Sequence, residues 1–329
     1  MTMTRTTALA ITLPALLLAS AGAAAQSSVR ISGMIDLGVY RGFDEQKHVG
    51  TIQRSNIAFS GNEDLGGGLA ATFALSHRFD ADTGSAEGAG SKPFWQGESS
   101  VGLKGGFGHL RLGRALDVIS ANDWAYDPWG NFDRVASPAW NNWHWNYASS
   151  RTSNNGSPEY GRLADGVFYD SPAMGGFTVH LSGAFENSGA PGAGTGNNSG
   201  LSLNYGQGPV SAMLATSRNS SGDTIQFLGA SMKTGALTLM GAFDRTVYKA
   251  AVDSTAKVYT FGATYAMGVT TLKAGYGHRD VDGASSRFVG LGADYFLSKR
   301  SNLYVSLGHQ KPSSASGKTA YGAGIAHRF

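Results

Sequence analysis

Apolar and polar side chains alternate with a period of two along most of this 329-residue chain. In the first such stretch Val29, Ile31 and Val39 fall on one parity, whereas Arg30 and Asp36 fall on the other. Because successive side chains of a β-strand point to opposite faces, the pattern predicts strands with one apolar and one polar face. Roughly sixteen such stretches follow one another, each near the ten residues that a tilted strand needs to cross a bilayer.

The apolar parity continues through the second half of the chain and is expected to face outward, for example at Ile225, Phe227, Tyr259 and Phe261. The opposite parity is rich in Gly, Ser and Thr, as expected of a water-filled lumen. No repeat of fixed length is visible, which argues against solenoids and propellers. A soluble β-sandwich or β-helix, also built from alternating strands, is the alternative.

Short and long connections alternate between the predicted strands. Tight glycine turns at 66–68, 105–106 and 175–176 contrast with long polar stretches at 80–96 and 187–200. A barrel that spans an outer membrane has short turns at one rim and long loops at the other. The connections therefore favour an all-β transmembrane barrel over the soluble folds.

The start of the chain indicates export. Arg5 precedes an apolar stretch at 8–20, and the alanines at 23–25 form a cleavage site of the A-x-A type. Residues 1–25 are therefore predicted to be a signal peptide. An N-terminal membrane anchor is the alternative, but the apolar stretch is short for that role and contains Pro14.

Residues 26–329 are predicted to form one barrel domain whose last strand ends on the aromatic Phe329. The chain has no cysteine, which excludes disulfides and thiolate metal sites, and its formal net charge of +3 is too small to indicate nucleic acid. No apolar run in this domain approaches the roughly 18 residues that a membrane helix needs. A closed barrel is then the remaining way to span a bilayer.

No enzyme motif is recognisable. A Gly-x-Ser-x-Gly elbow, a His-Glu-x-x-His pair and a Walker-type loop are all missing, and the eight histidines are scattered without metal-ligand spacing. Gly275 and Gly277 match a fragment of a dinucleotide pattern inside a predicted strand, and we discount this match. We therefore expect no enzyme activity, no cofactor and no metal.

Several short motifs occur along the whole predicted domain. They are residues 55–69 (SNIAFSGNEDLGGGL), 101–108 (VGLKGGFG), 112–114 (LGR), 169–172 (YDSP), 297–304 (LSKRSNLY) and 325–329 (IAHRF). Their sequence and order resemble the general porins of Gram-negative bacteria, specifically the betaproteobacterial and neisserial type. The resemblance implies a 16-stranded antiparallel transmembrane β-barrel in the bacterial outer membrane, usually a homotrimer, whose third extracellular loop folds inward to narrow the pore.

The longest stretch without clean alternation, residues 115–162, falls where the resemblance implies this third loop. Porin constrictions set acidic groups of the loop against basic groups of the wall, and the resulting field orients polar solutes and sorts ions by charge. The loop-side candidates are Asp117, Asp123, Asp127 and Asp133. The wall-side candidates are Arg54, Arg111, Arg114 and Arg162.

Two wall positions that are often basic in the family are not basic here. Asn56 stands at one of them, and neither Gly97 nor Glu98 supplies the other, while Arg162 falls where the family often has a pore arginine. Arg54 shares the polar parity with Asn56 and is expected to substitute in part. We therefore expect mild or weak ion selectivity instead of the anion preference that is frequent in the family.

Five of the six tryptophans lie in the same loop, namely Trp124, Trp129, Trp140, Trp143 and Trp145. Aromatic rings that line a channel provide a stacking surface for sugars or aromatic solutes. In the alternative that we favour, the rings anchor the loop to the barrel wall or contribute to a trimer interface.

The sequence thus predicts a water-filled channel for passive diffusion of ions and small hydrophilic solutes. The alternatives are a substrate-preferring channel for sugars or aromatic acids, and a non-conducting barrel that acts as an adhesin or receptor. Outer-membrane lipid and lipopolysaccharide are expected partners, and nucleic acid is not. The second loop often latches onto a neighbouring subunit in relatives, and its charged residues are expected to be solvated or to bridge lipopolysaccharide: Asp80, Asp82, Glu87 and Lys92.

Overall fold

A computed structural model describes residues 28–88, 91–152, 158–185 and 196–329 of the chain. The predicted signal peptide, residues 1–25, lies outside the described residues and stays a prediction. The described strands are β1 (Ser28–Arg41), β2 (Lys47–Gly50), β3 (Asn56–Gly66), β4 (Leu69–Asp80), β5 (Ser85–Ala86), β6 (Glu98–Gly105), β7 (Gly108–Leu116), β8 (Arg162–Asp170), β9 (Phe177–Ala184), β10 (Asn198–Gln207), β11 (Val210–Arg218), β12 (Thr224–Thr234), β13 (Leu237–Tyr248), β14 (Ser254–Met267), β15 (Thr270–Val281), β16 (Ala284–Phe296), β17 (Ser301–Pro312) and β18 (Lys318–Arg328).

These strands form one closed antiparallel barrel. The short β2 and β5 belong to connections, so sixteen of the eighteen strands build the wall. The first half of β1 pairs with β3, and its second half pairs with β18, from Met34 opposite Arg328 to Arg41 opposite Tyr321. Closure leaves no free sheet edge. A sheet in lipid must be closed in this way because hydrocarbon offers no hydrogen-bond partners to unpaired backbone groups. The predicted fold is confirmed.

The last residue takes part in this closure. The Phe329 N–H donates to the Gly33 carbonyl at 3.1 Å, and the Gly33 N–H donates back to the Phe329 carbonyl at 3.1 Å. The terminal aromatic residue, which the alternation placed at the end of a strand, therefore lies against β1.

The two parities of the wall strands face different surroundings. Val29 is 70% exposed on the outer surface, whereas Asp36 in the same strand is 0% exposed. The prediction of outward side chains was wrong for Ile225 and Phe227, which are buried, while their neighbour Gln226 is exposed. These two side chains face inward, and they are buried because a segment inside the barrel covers them.

That segment belongs to the connection between β7 and β8, and we call its described residues, 117–152 and 158–161, the inner loop. It contains a 3₁₀-helix, Asp123–Tyr126, and a short α-helix, α1 (Pro138–Asn142). No helix among the described residues is long and apolar enough to cross a bilayer.

Hydrogen bonds join the inner loop to inward-facing residues of the wall. The Trp143 Nε1–H donates to Thr260 Oγ1 of β14 at 3.1 Å, and the Ser306 hydroxyl of β17 donates to Asp133 at 2.6 Å. Both wall residues are buried. The ring centroids of Trp143 and Phe227 lie 5.0 Å apart in an edge-to-face arrangement, which adds an apolar contact.

Glycines on the inward parity give the inner loop room to approach the wall. A Cβ atom built on any of them would lie within 2.5 Å of an inner-loop atom, closer than real Cβ contacts allow. The glycines are Gly229 in β12, Gly262 in β14, Gly275 in β15, Gly290 in β16 and Gly308 in β17. Gly275 is thus a contact site for Pro138 of the inner loop, which explains a glycine inside this strand.

Candidate functional site

A cavity of about 680 Å³ lies between the inner loop and the wall strands near β3, β4, β7 and β8. Four arginines line its wall side, and we call them the arginine cluster: Arg54, Arg78, Arg114 and Arg162. They come from the connection before β3 and from β4, β7 and β8. Because β3 pairs with β4 and β7 pairs with β8, residues far apart in sequence meet at one side of the passage.

Two members of the arginine cluster are neutralised by carboxylates. Arg114 Nη2 lies 2.7 Å from Glu159 Oε2, and the same guanidinium donates to the Gln96 carbonyl. Arg78 lies 3.7 Å from Glu87. The Glu87 carboxylate is surrounded by cations, since Lys92 and Arg134 each lie 3.6 Å from it.

The other two members have no such partner among the described residues. Arg162 Nε donates to the Gly97 carbonyl at 3.0 Å, which orients the guanidinium, and no carboxylate of the described residues forms an ion pair with it. The Arg54 guanidinium stacks over the ring of Phe132, with its carbon 3.9 Å from the ring centroid. The cavity therefore contains two positive groups that have no paired carboxylate among the described residues.

The four predicted loop-side aspartates are all buried, each at most 5% exposed. Three of them accept hydrogen bonds from backbone N–H groups two to four residues further along the loop, as Asp127 does from Trp129 and Asn131. Such bonds brace tight turns of the backbone. Asp117 and Asp123 also line the cavity, and Asp127 and Asp133 do not. Burial raises the pKa of Asp133 to about 6.

Asp123 belongs to a charged triad that sequence reasoning missed, in which both carboxylates are buried and the imidazole borders the cavity. His144 Nε2 lies 2.7 Å from Asp123 Oδ2, and His144 Nδ1 lies 2.7 Å from Asp244 Oδ2 of β13. Burial disfavours the charged imidazole, but the Asp244 and Asp123 carboxylates outweigh this and raise the pKa of His144 to about 10. An imidazolium thus joins the inner loop to the wall. The histidine carried no signal in the sequence, because its partners lie 21 and 100 residues away.

The predicted wall residue Arg111 lies elsewhere. It forms ion pairs with Glu98 at 3.3 Å and Asp170 at 3.0 Å and does not line the cavity. Glu87 and Lys92, which we expected on a solvated outer loop, line the cavity instead. Arg78 could have been added from the sequence, since it shares the inward parity of its strand with Ser76.

The loop tryptophans divide into two groups. Trp143 is buried against the wall, Trp129 lies close to Gly292 of β16, and Trp145 lies beside Tyr248 with ring centroids 6.5 Å apart. Trp124 and Trp140 line the cavity with side chains that are 53% and 42% exposed. Some tryptophans of the inner loop thus anchor it to the barrel wall, and others line the cavity. Across the described ranges, no group of three or more acidic or histidine side chains is arranged to hold a metal ion.

A closed barrel with an apolar outer face and a charged, narrowed interior defines a channel protein of the outer membrane. The chain belongs to the Gram-negative porin family, whose profile matches residues 7–314. It is 31% identical to outer membrane porin protein 32 of Delftia acidovorans over 94% of this chain and 93% of the relative. It is 28% identical to the major outer membrane protein P.IB of Neisseria lactamica, over 96% and 98% of the two chains.

Among solved structures, the anion-selective porin from Comamonas acidovorans superposes with a TM-score of 0.79 at 26% identity, over 92% of this chain and 100% of that one. The resemblance to betaproteobacterial and neisserial porins is confirmed. The protein is an outer-membrane porin, and its family and fold are those of a channel rather than an enzyme.

Proposed function

We propose that this protein is a passive porin that performs no covalent chemistry and favours small anions over cations. The observation that carries the proposal is the pair Arg54 and Arg162, whose positive charges line the passage without a partner carboxylate among the described residues. Three of the four loop aspartates, by contrast, direct their carboxylates to backbone N–H groups of the loop itself.

Uncompensated charge has a large effect in such a passage. The surrounding protein has a low dielectric constant, so field lines concentrate in the water and the local anion concentration rises. The relative from Comamonas acidovorans is described as anion-selective, which agrees with this direction. The proposal is therefore stronger than the mild selectivity expected from the sequence, because the sequence did not reveal that the loop aspartates are buried.

The test is the reversal potential in a tenfold KCl gradient across a planar bilayer. We expect anion selectivity for the unmodified protein and a shift toward zero for Arg54→Gln combined with Arg162→Gln, since this removes both unpaired charges. Arg218→Gln is the control, because Arg218 is exposed on the outward parity of β11. Cation selectivity of the unmodified protein would contradict the anion preference, and a folded protein without current steps would contradict the channel itself.

We further propose that the functional unit is a homotrimer, as in the family that the chain belongs to. An apolar patch on the outer surface supports this. Phe94, from the connection between β4 and β6, is 64% exposed and stacks on His77 with ring centroids 4.3 Å apart. His77 is outward-facing because its neighbour Arg78 faces the cavity. Trp95 and Phe59 extend the patch.

A further inference from the structure

We infer that the cavity at the constriction is a binding site for small aromatic carboxylates on their way through the channel. The inference rests on the proposed anion-favouring passage and adds a substrate class to it. Its basis is the meeting of exposed indole rings and unpaired guanidinium groups in one cavity, lined by Trp124, Trp140, Arg54 and Arg162.

The two indoles are placed differently from the other tryptophans of the inner loop. All three of Trp124, Trp140 and Trp143 border the cavity, but Trp124 and Trp140 are about half exposed whereas Trp143 is only 7% exposed. The Trp124 Nε1–H donates to the Ala121 carbonyl at 2.9 Å, which holds the ring in one orientation. A ring held in place presents a flat apolar face to a planar solute with little loss of conformational entropy.

The charged half of the site has free hydrogen-bond donors. Within the described residues, Arg54 donates to no acceptor, and Arg162 donates only to the Gly97 and Tyr160 carbonyls through Nε and Nη1. No described residue accepts a hydrogen bond from Nη2 of Arg162, so this group is available to a ligand. Guanidinium groups bind carboxylates with directional, charge-assisted bonds, and their planar faces also stack on aromatic rings, as Arg54 already does on Phe132.

Size and chemistry together select the ligand class. A cavity of about 680 Å³ lies inside the range of roughly 300–1,000 Å³ typical of small-molecule sites. A sugar would stack on the indoles but would leave the arginines uncompensated. An aliphatic carboxylate would pair with an arginine but would leave the indole faces in water. An aromatic carboxylate such as benzoate satisfies both.

The experiment compares benzoate with cyclohexanecarboxylate, which has the same charge and a similar size but no aromatic ring. Each is added to the full-length protein in a planar bilayer, and the block of the chloride current is measured against concentration. We expect saturable block by benzoate at a concentration roughly threefold to tenfold lower than for cyclohexanecarboxylate. Benzamide, which lacks the carboxylate, should block less than benzoate.

Variants assign the effect to the site. Trp124→Leu combined with Trp140→Leu should remove the difference between benzoate and cyclohexanecarboxylate, and Arg162→Gln should weaken the block by both acids. Trp145→Leu is the matched control, because Trp145 lies beside Tyr248 outside the cavity lining. It should keep the difference. The comparison of the three solutes on the unmodified protein remains decisive if a variant fails to fold.

The outcomes separate the two proposals. An anion-selective channel that benzoate and cyclohexanecarboxylate block equally would overturn the aromatic site and leave the anion preference standing. Stronger block by maltose than by benzoate would overturn it as well, in favour of a sugar site. A channel without anion selectivity would contradict the proposed function before any solute is added.

Discussion

At the scale of single residues, the inward glycines determine how closely the inner loop can approach the wall. At Gly290 an added Cβ would lie 1.9 Å from the Ala136 carbonyl oxygen, and at Gly308 it would lie 1.8 Å from the Val135 carbonyl oxygen. Both obstacles are backbone atoms, which no side-chain rotation can move aside. These two glycines therefore act as spacers between the wall and the loop.

We predict that Gly290→Ala displaces the inner loop and destabilises the protein by about 1–3 kcal/mol, as overpacking does in close-packed interiors. The single-channel conductance should change as well, because the loop forms one side of the passage. Gly206→Ala in β10 is the control, since its Cβ would meet no heavy atom within 4 Å. Equal conductance and equal unfolding midpoints for the two variants would contradict the spacer role.

At the scale of elements, the inner loop is fixed to the barrel by apolar packing, as of Trp143 on Phe227, and by polar contacts. One of the polar contacts is the His144 imidazolium between Asp123 and Asp244. Because the pKa of His144 is raised in the folded protein, protonation of the imidazole stabilises the attachment of the inner loop to the wall. The stabilising contribution is complete below the ordinary histidine pKa of 6.5, declines as the pH rises, and is lost above about 10.

We predict that the inner loop becomes less firmly held between pH 6.5 and 10, so that channel closures become more frequent as the pH rises through this window. Recordings at pH 6, 7.5 and 9 at fixed voltage measure the closures. His144→Gln should abolish the pH dependence, and His327→Gln should keep it, because His327 contacts Ser301 far from the inner loop. A pH dependence that survives in His144→Gln would refute the assignment.

At the scale of the whole molecule, the outer surface has two kinds of apolar area. Aliphatic side chains of the outward parity, such as Val29 and Leu291, meet the requirement of a lipid-facing band. The patch of Phe59, Phe94 and Trp95 differs because it combines aromatic rings with a connection outside the strands. Aromatic clusters of this kind are enriched in protein interfaces.

We predict that Phe94→Asp converts the proposed trimer into monomers, since charged residues are disfavoured in the core of an interface. Light scattering or analytical ultracentrifugation in mild detergent would measure the mass. Val252→Asp is the control, because Val252 is 83% exposed in the connection between β13 and β14. A trimer that persists in Phe94→Asp would place the subunit contact elsewhere, and an unmodified protein that is monomeric would contradict the trimer.

The barrel itself could be predicted from the sequence because parity is a local property. Val29 and Asp36 point to opposite faces whatever the rest of the chain does, and the short glycine turns mark one rim. The same reasoning went wrong at Ile225 and Phe227, whose apolar side chains face inward and are kept from water by the inner loop. Parity separates the two faces of a strand, but it does not predict which face points into the barrel or whether another segment shields that face from water.

The sequence by itself determined the strands, the closed sheet and the family, since each follows from neighbouring residues and short motifs. Only the tertiary structure decided the chemistry of the passage. It brought Arg54, Arg78, Arg114 and Arg162 together from four separate segments, and it turned three of the four loop aspartates toward their own backbone. The physical reason is that the partner of a charged side chain depends on the path of the whole inner loop, which no local pattern encodes.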